Sequence, residues 1–224
     1  MSLKDELDSR RNEFMNNVPA EIRDAVVQAE IDLAASGITR SALKSGDLAP
    51  DFVLDDARGH ATKLSDRLAM GPVVLSFYRG GWCPYCNLEL RSLQKELPRF
   101  TALGASLIAV SPEKPDQSLS TIEKNALGYP VLSDIGSRVA RLYGIAFDLA
   151  AELRPIYTRF NHALPDMNGD DSWVLPIPAT YVIDRDGTIA LSFVDVDYRN
   201  RLEPAEVSAT LEQLHLRQGV RSAA

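Results

Sequence analysis

The sequence predicts an α/β fold: a central mixed sheet with helices on both faces, preceded by an N-terminal helical extension. Three observations carry this expectation. The run VVLSFY, residues 73–78, is continuously apolar, as in a strand covered on both faces. A helical period follows it (Leu90, Leu93, Leu97, Phe100), and ASLIAV, 105–110, is a second buried run, so 73–110 reads as strand–helix–strand with parallel strands. Finally, ATYVID and TIALSFVDV flank Arg185-Asp186-Gly187, and Asp-Gly between apolar runs is a hairpin signal.

The remaining elements follow in chain order. Residues 3–16 read as a helix with Leu3, Leu7 and Phe14 on one side. Residues 20–36 read as another, because Ile22, Val26, Ala29 and Leu33 form an apolar stripe between Pro19 and Gly37. This pair packs either on the main body or on a second subunit. Residues 45–66 alternate turn, short strand, turn, short strand. Helices are expected over 115–127 and 136–143, with an extended piece at 131–133. Residues 146–176, with Pro155, Pro165 and Pro176, read as a long irregular excursion of the kind that is often functional. A closing helix over 203–217 has Val207, Leu211 and Leu214 on one face. The expected organisation is a helical extension over 1–44 and one domain over 45–224.

Composition narrows the function. The chain has 224 residues, 45% hydrophobic and 25% charged, which is ordinary globular usage with enough length for a sizeable core. A net charge of −7, without a basic block, argues against nucleic acid or an anionic membrane as partner. No apolar stretch approaches bilayer length, and the charged start MSLKDELDSRRNEFMNN lacks a signal-peptide centre, so a cytoplasmic protein is expected. In a reducing cytosol, thiols are seldom structural cross-links.

The chain has 2 cysteines, in Trp82-Cys83-Pro84-Tyr85-Cys86, where strand gives way to helix. Gly80 and Gly81 let the chain turn, and Pro84 suits a first helical position. Cysteines at i and i+3 share a helix face and are placed to close a short disulfide. Free N–H groups and the dipole at a helix start stabilise a thiolate, the nucleophile toward a peroxide oxygen or a disulfide sulfur; the second cysteine then resolves the first product. Burial of both as small hydrophobes is the bland reading, and the loop glycines argue against it. A zinc site would need four ligands; His60, His162 and His215 lie at unrelated spacings, and no metal or other cofactor is expected. Arg79 either lowers a cysteine pKa through its charge or is a solvated loop cation. Trp82 is read as a shield over the site and Tyr85 as an exposed residue that touches a partner.

The chain resembles the peroxiredoxin family of alkyl hydroperoxide reductases and thiol-specific antioxidants from about Lys44 to Leu216. The resemblance rests on Gly46-Asp47-Leu48-Ala49-Pro50-Asp51-Phe52, on Phe77-Tyr78, on Cys86 with Glu89 three residues on, and on Ala179–Asp184 with its Asp-Gly turn. It implies a thioredoxin-like fold and a thiol-dependent peroxidase acting on hydrogen peroxide or an organic hydroperoxide. The disulfide it forms is reduced by a thioredoxin- or glutaredoxin-type donor, and a homodimer is compatible. It makes Cys86 the peroxidatic candidate and gives Glu89 an orienting role, turned away from the attacking thiolate. Three positions differ from the family: Arg79 stands for a proline, Cys83 for threonine or serine, and Pro178 for an arginine. Trp82–Cys86 is similar instead to the W-C-x-x-C of thioredoxins, which makes Cys83 the nucleophile and puts Pro178 where a cis-proline faces the cysteines. Either cysteine thus remains the attacker. A protein disulfide oxidoreductase using Cys83 and a non-catalytic redox-sensing module are the alternatives.

Overall fold

A computed structural model describes residues 2–222, with side chains through residue 217. Helices α1 (Leu3–Asn17), α2 (Ala20–Ala35) and α3 (Ile38–Ser41) come first. Ser2 caps α1 reciprocally with Asp5, and Gly37, at φ 73°, turns the chain after α2 in a conformation that side chains other than glycine rarely adopt. The hairpin β1 (Val53–Asp55) and β2 (Ala61–Lys63) leads into α4 (Leu64–Met70). The sequence reading missed α4, because Leu64 and Leu68 make a single apolar turn, too short to show a period.

The core runs β3 (Val73–Phe77), α5 (Pro84–Ala102), β4 (Ser106–Ser111), α6 (Pro115–Asn125), β5 (Val131–Ser133) and α7 (Arg138–Leu142). It continues through β6 (Ala146–Asp148), α8 (Arg154–Arg159), α9 (Leu164–Asn168) and β7 (Val174–Pro176), then β8 (Ala179–Ile183), β9 (Ile189–Val194) and α10 (Pro204–Ser222). The central sheet has strand order β5-β4-β3-β8-β9. β3 runs parallel to β4 and antiparallel to β8, so the sheet is mixed, as expected. Every residue of β3 is buried, and alternate ones serve opposite cores. Val74 joins Leu90, Leu107 and Leu211 beneath α5 and α10; Val73, Leu75 and Phe77 join Leu64, Val139 and Tyr181 on the other face. This is the thioredoxin-like arrangement that the resemblance implies.

Two expectations are corrected here. Residues 146–176 are not an irregular loop: their ends pair as β6 with β7, and Pro155 and Pro165 start α8 and α9 rather than breaking structure. Leu149, Leu153, Leu164 and Leu175 give the segment its own small core, on which Val26 and Ala29 of α2 pack. The peptide bond preceding Pro178 is trans, since the described residues contain no cis bond. Ile177 and Pro178 are the two-residue connection from β7 into β8.

The N-terminal helices pack on the body. Leu3 and Leu7 enter the core beneath α5. Arg11 pairs with Asp197 at 2.6 Å, and Glu30 with Arg199 at 2.5 Å, tying α1 and α2 to the segment between β9 and α10. Among the described residues no helix is long and apolar enough to cross a membrane.

Candidate active site

The sharp exit from β3 depends on two glycines. A Cβ at Gly80 would collide with the Trp82 indole, and one at Gly81 with Thr121 Oγ1. The Gly81 N–H donates to Glu113 Oε2 at 2.8 Å, and Asn87 Nδ2 donates to the carbonyls of Gly81 and Cys83 at 2.8 and 2.9 Å. Asn125 of α6 then donates to Asn87 Oδ1 at 2.7 Å. A buried amide network thus fixes the turn before α5 begins. Gly81→Ala is expected to destabilise the protein by about 1–3 kcal/mol through overpacking against Thr121, read from urea melts.

Cys83 immediately precedes α5, Pro84 is its first residue, and Cys86 lies in its first turn. Both are free thiols, and both are buried. The accessible pair that the loop glycines suggested is therefore not open to bulk solvent. Cys83 instead borders a half-open cavity of about 460 Å³ that Cys86 does not line, with Arg79, Trp82, Pro178 and Tyr198 also in its wall.

The two sulfurs are driven apart electrically. Burial opposes a Cys83 thiolate, yet the hydrogen bond from the Cys86 thiol and the nearby charges of Arg79 and Arg201 outweigh burial and bring it from 9.0 to about 6. Cys86 is pushed well up, first by burial and then by the negative Cys83 beside it. Iodoacetamide should therefore alkylate Cys83 with a rate that climbs to half its plateau near pH 6. Arg79→Met should move that midpoint upward, toward the ordinary thiol value of about 8.5.

Arg79 is buried, not solvated. Its guanidinium lies 4.2 Å from the Tyr198 ring centroid and 5.1 Å from that of Trp82, and it donates to the Tyr157 hydroxyl. Trp82 stacks on His162 at 5.1 Å and packs against the small core of the 146–176 segment. Tyr85 is buried rather than exposed: it packs edge-on against Tyr198 and sits in the core that Leu3 and Leu7 of α1 complete.

Glu89 is buried: it pairs with Arg201 Nε at 2.7 Å, while Thr180 Oγ1 donates to its other oxygen at 3.1 Å. The same Arg201 donates through Nη2 to Cys86 Sγ at 3.3 Å. Burial raises Glu89 to about 7, Arg201 resisting and Cys86 adding. Arg201 comes from the segment before α10, remote in sequence, and carries no motif; Tyr157, Tyr198, His162 and Glu113 were illegible for the same reason.

A thiol pair so polarised, at the head of the helix that follows the central strand of a thioredoxin-like sheet, defines a thiol-based oxidoreductase. The chain belongs to the AhpC/TSA family, whose model matches residues 45–192, and is an oxidoreductase of peroxiredoxin type. A Mycobacterium tuberculosis chain that carries a peroxiredoxin name is 35% identical over 117 residues, 51% of this chain and 74% of that one. The thiol-disulfide oxidoreductase ResA of Geobacillus kaustophilus is 28% identical over 166 residues, 70% of this chain and 78% of that one. The crystal structure of peroxidoxin BcpB from Mycobacterium tuberculosis superposes with a TM-score of 0.60 at 26% identity, covering 76% of this chain and 97% of that one.

Proposed function

We propose that this protein is a thiol-dependent peroxidase in which Cys83 attacks the peroxide and Cys86 resolves the product. The observation that carries this reading is the asymmetry of the pair: Cys83 borders the cavity and is the acidic thiol, while Cys86 lies behind it against Arg201. The family position points instead to Cys86 as attacker, and the electrostatics favour the thioredoxin-like order.

The Cys83 thiolate forms an S–O bond to the distal oxygen of ROOH as the O–O bond breaks. Sulfur loses two electrons, and the departing alkoxide takes a proton to leave as ROH. The Arg79 guanidinium offsets negative charge in that step. The Cys86 thiol then attacks the sulfenic acid sulfur; its proton and the hydroxyl leave as water, and a disulfide remains. Two thiols of a thioredoxin- or glutaredoxin-type donor restore the dithiol. Two cysteines and no cross-link framework suit the reducing cytoplasm. Residues 45–224 act as the redox unit, and residues 1–44 cover it.

A second reading, protein disulfide exchange, is favoured by the likeness to ResA and by Trp82–Cys86. Against it, Cys83 is only 1% exposed, so little of its sulfur is presented to a protein disulfide.

Mixing the reduced protein with one equivalent of hydrogen peroxide tests the proposal. Consumption should exceed that by free cysteine by orders of magnitude, and trapping with a sulfenic acid reagent should find the first oxygen on Cys83 by mass spectrometry. A rate no greater than that of free cysteine, with Cys83 still exchanging with a model disulfide, would transfer the assignment to the second reading.

A further inference from the structure

The cavity above Cys83 is larger and more apolar than delivery of one peroxide oxygen requires. Its volume of about 460 Å³ lies within the usual range for small-molecule sites, roughly 300–1,000 Å³. One wall comes from the α1–α2 hairpin, through Phe14, Val18, Ile22, Val26 and Ala29. More of the lining comes from the 146–176 segment, through Leu153, Ile156 and Phe160.

The charged residues along it are mostly spoken for. Arg10 pairs with Glu13 at 2.5 Å, and Glu30 with Arg199 at 2.5 Å. That leaves one charged end, where Arg79 lines the same cavity as Cys83. A ligand with one polar terminus and an apolar body matches this polarity, whereas hydrogen peroxide would leave the apolar walls facing water. The hairpin's residues also precede residue 45, outside the segment that the family model matches. This part of the site therefore lies outside the matched segment.

We propose that the α1–α2 hairpin is a substrate-binding roof, and that the cavity beneath it takes the aromatic or hydrocarbon body of a bulky apolar hydroperoxide whose –OOH end lies between Cys83 Sγ and the Arg79 guanidinium. The proposal rests on the peroxidase reading of the same site. It makes the hairpin a determinant of specificity: the organic part of ROOH, and of the ROH that leaves, is held by residues that take no part in the electron transfer.

The test uses the full chain and two readouts. In the first, cumyl alcohol, the redox-inert product of cumene hydroperoxide, is added to the reduced protein during alkylation of Cys83 by iodoacetamide. It should slow alkylation severalfold at saturation, where glycerol at equal concentration does not. In the second, Val26→Trp and Ala29→Trp narrow the cavity from the roof. The ratio of kcat/KM for cumene hydroperoxide to that for hydrogen peroxide should fall about tenfold or more, the order of discrimination an apolar pocket provides. If the Trp variants do not fold, protection by the alcohol decides alone. No protection, or a fall that is equal for both peroxides, overturns the roof proposal while hydrogen peroxide turnover keeps the peroxidase reading. Protection without turnover of any peroxide overturns the peroxidase reading and upholds the cavity's preference for an apolar body.

Discussion

Cys83→Ser is expected to slow peroxide reduction by at least about a thousandfold, the scale of loss when an activated nucleophile is removed. Cys86→Ser should behave differently. It should perform the first attack, then stop with one oxygen held on Cys83, since no second sulfur is in place to expel it as water. Stopped-flow consumption of one equivalent of peroxide, followed by intact-protein mass spectrometry, separates the two. The opposite pattern, with oxygen accumulating on Cys86 in Cys83→Ser, would return the attacking role to the position that the family resemblance marks. The geometry argues against that outcome. Cys86 is the deeper sulfur, is pushed toward its protonated form, and does not line the cavity by which a peroxide would arrive.

Arg201→Met should give the largest loss of stability. It leaves Glu89 buried without its cation, and breaking such a pair costs about 3–5 kcal/mol. The double variant Glu89→Gln/Arg201→Met should recover much of this, because Thr180 keeps its acceptor and no lone charge is left inside. The pH dependence gives an independent reading. Burial lifts Glu89 from 4.5 to about 7, so the native protein holds that proton more tightly than the unfolded chain. The stability this group contributes is complete below about pH 4.5 and is lost as pH rises through 7. Without Arg201 the native carboxyl stays protonated to still higher pH. The deficit of Arg201→Met relative to the parent should therefore be larger at pH 8 than at pH 6. Urea melts at both values check this; an equal deficit would mean that lost packing, not lost charge, dominates.

The strands and the helices around the redox turn were legible because their signals are local. β3 and β4 are continuous apolar runs, α5 keeps its period, and Asp186-Gly187 closes the β8–β9 hairpin. The two glycines before Cys83 were legible as a turn. Which neighbours forbid a side chain there, Trp82 and Thr121, was not. The 146–176 segment misled for a physical reason: Pro155 and Pro165 start short helices whose apolar residues are too few to show a period, and the pairing of β6 with β7 joins residues far apart in the chain. Tyr85 looked exposed because it lies between the two cysteines of a turn; what buries it arrives from α1 and from Tyr198.

By itself the sequence determined the fold class and placed the thiol pair at the head of a helix, since apolar period, turn residues and i, i+3 spacing act over a few residues. Tertiary structure alone decided which sulfur is acidic and what surrounds it. Arg79 folds inward under three aromatic rings, Arg201 comes from more than a hundred positions away to join Glu89 and Cys86, and residues of the α1–α2 hairpin line the cavity that Cys83 borders. Charge–charge energies in a buried site depend on distances in space and on exclusion of water, and neither quantity is written in local sequence.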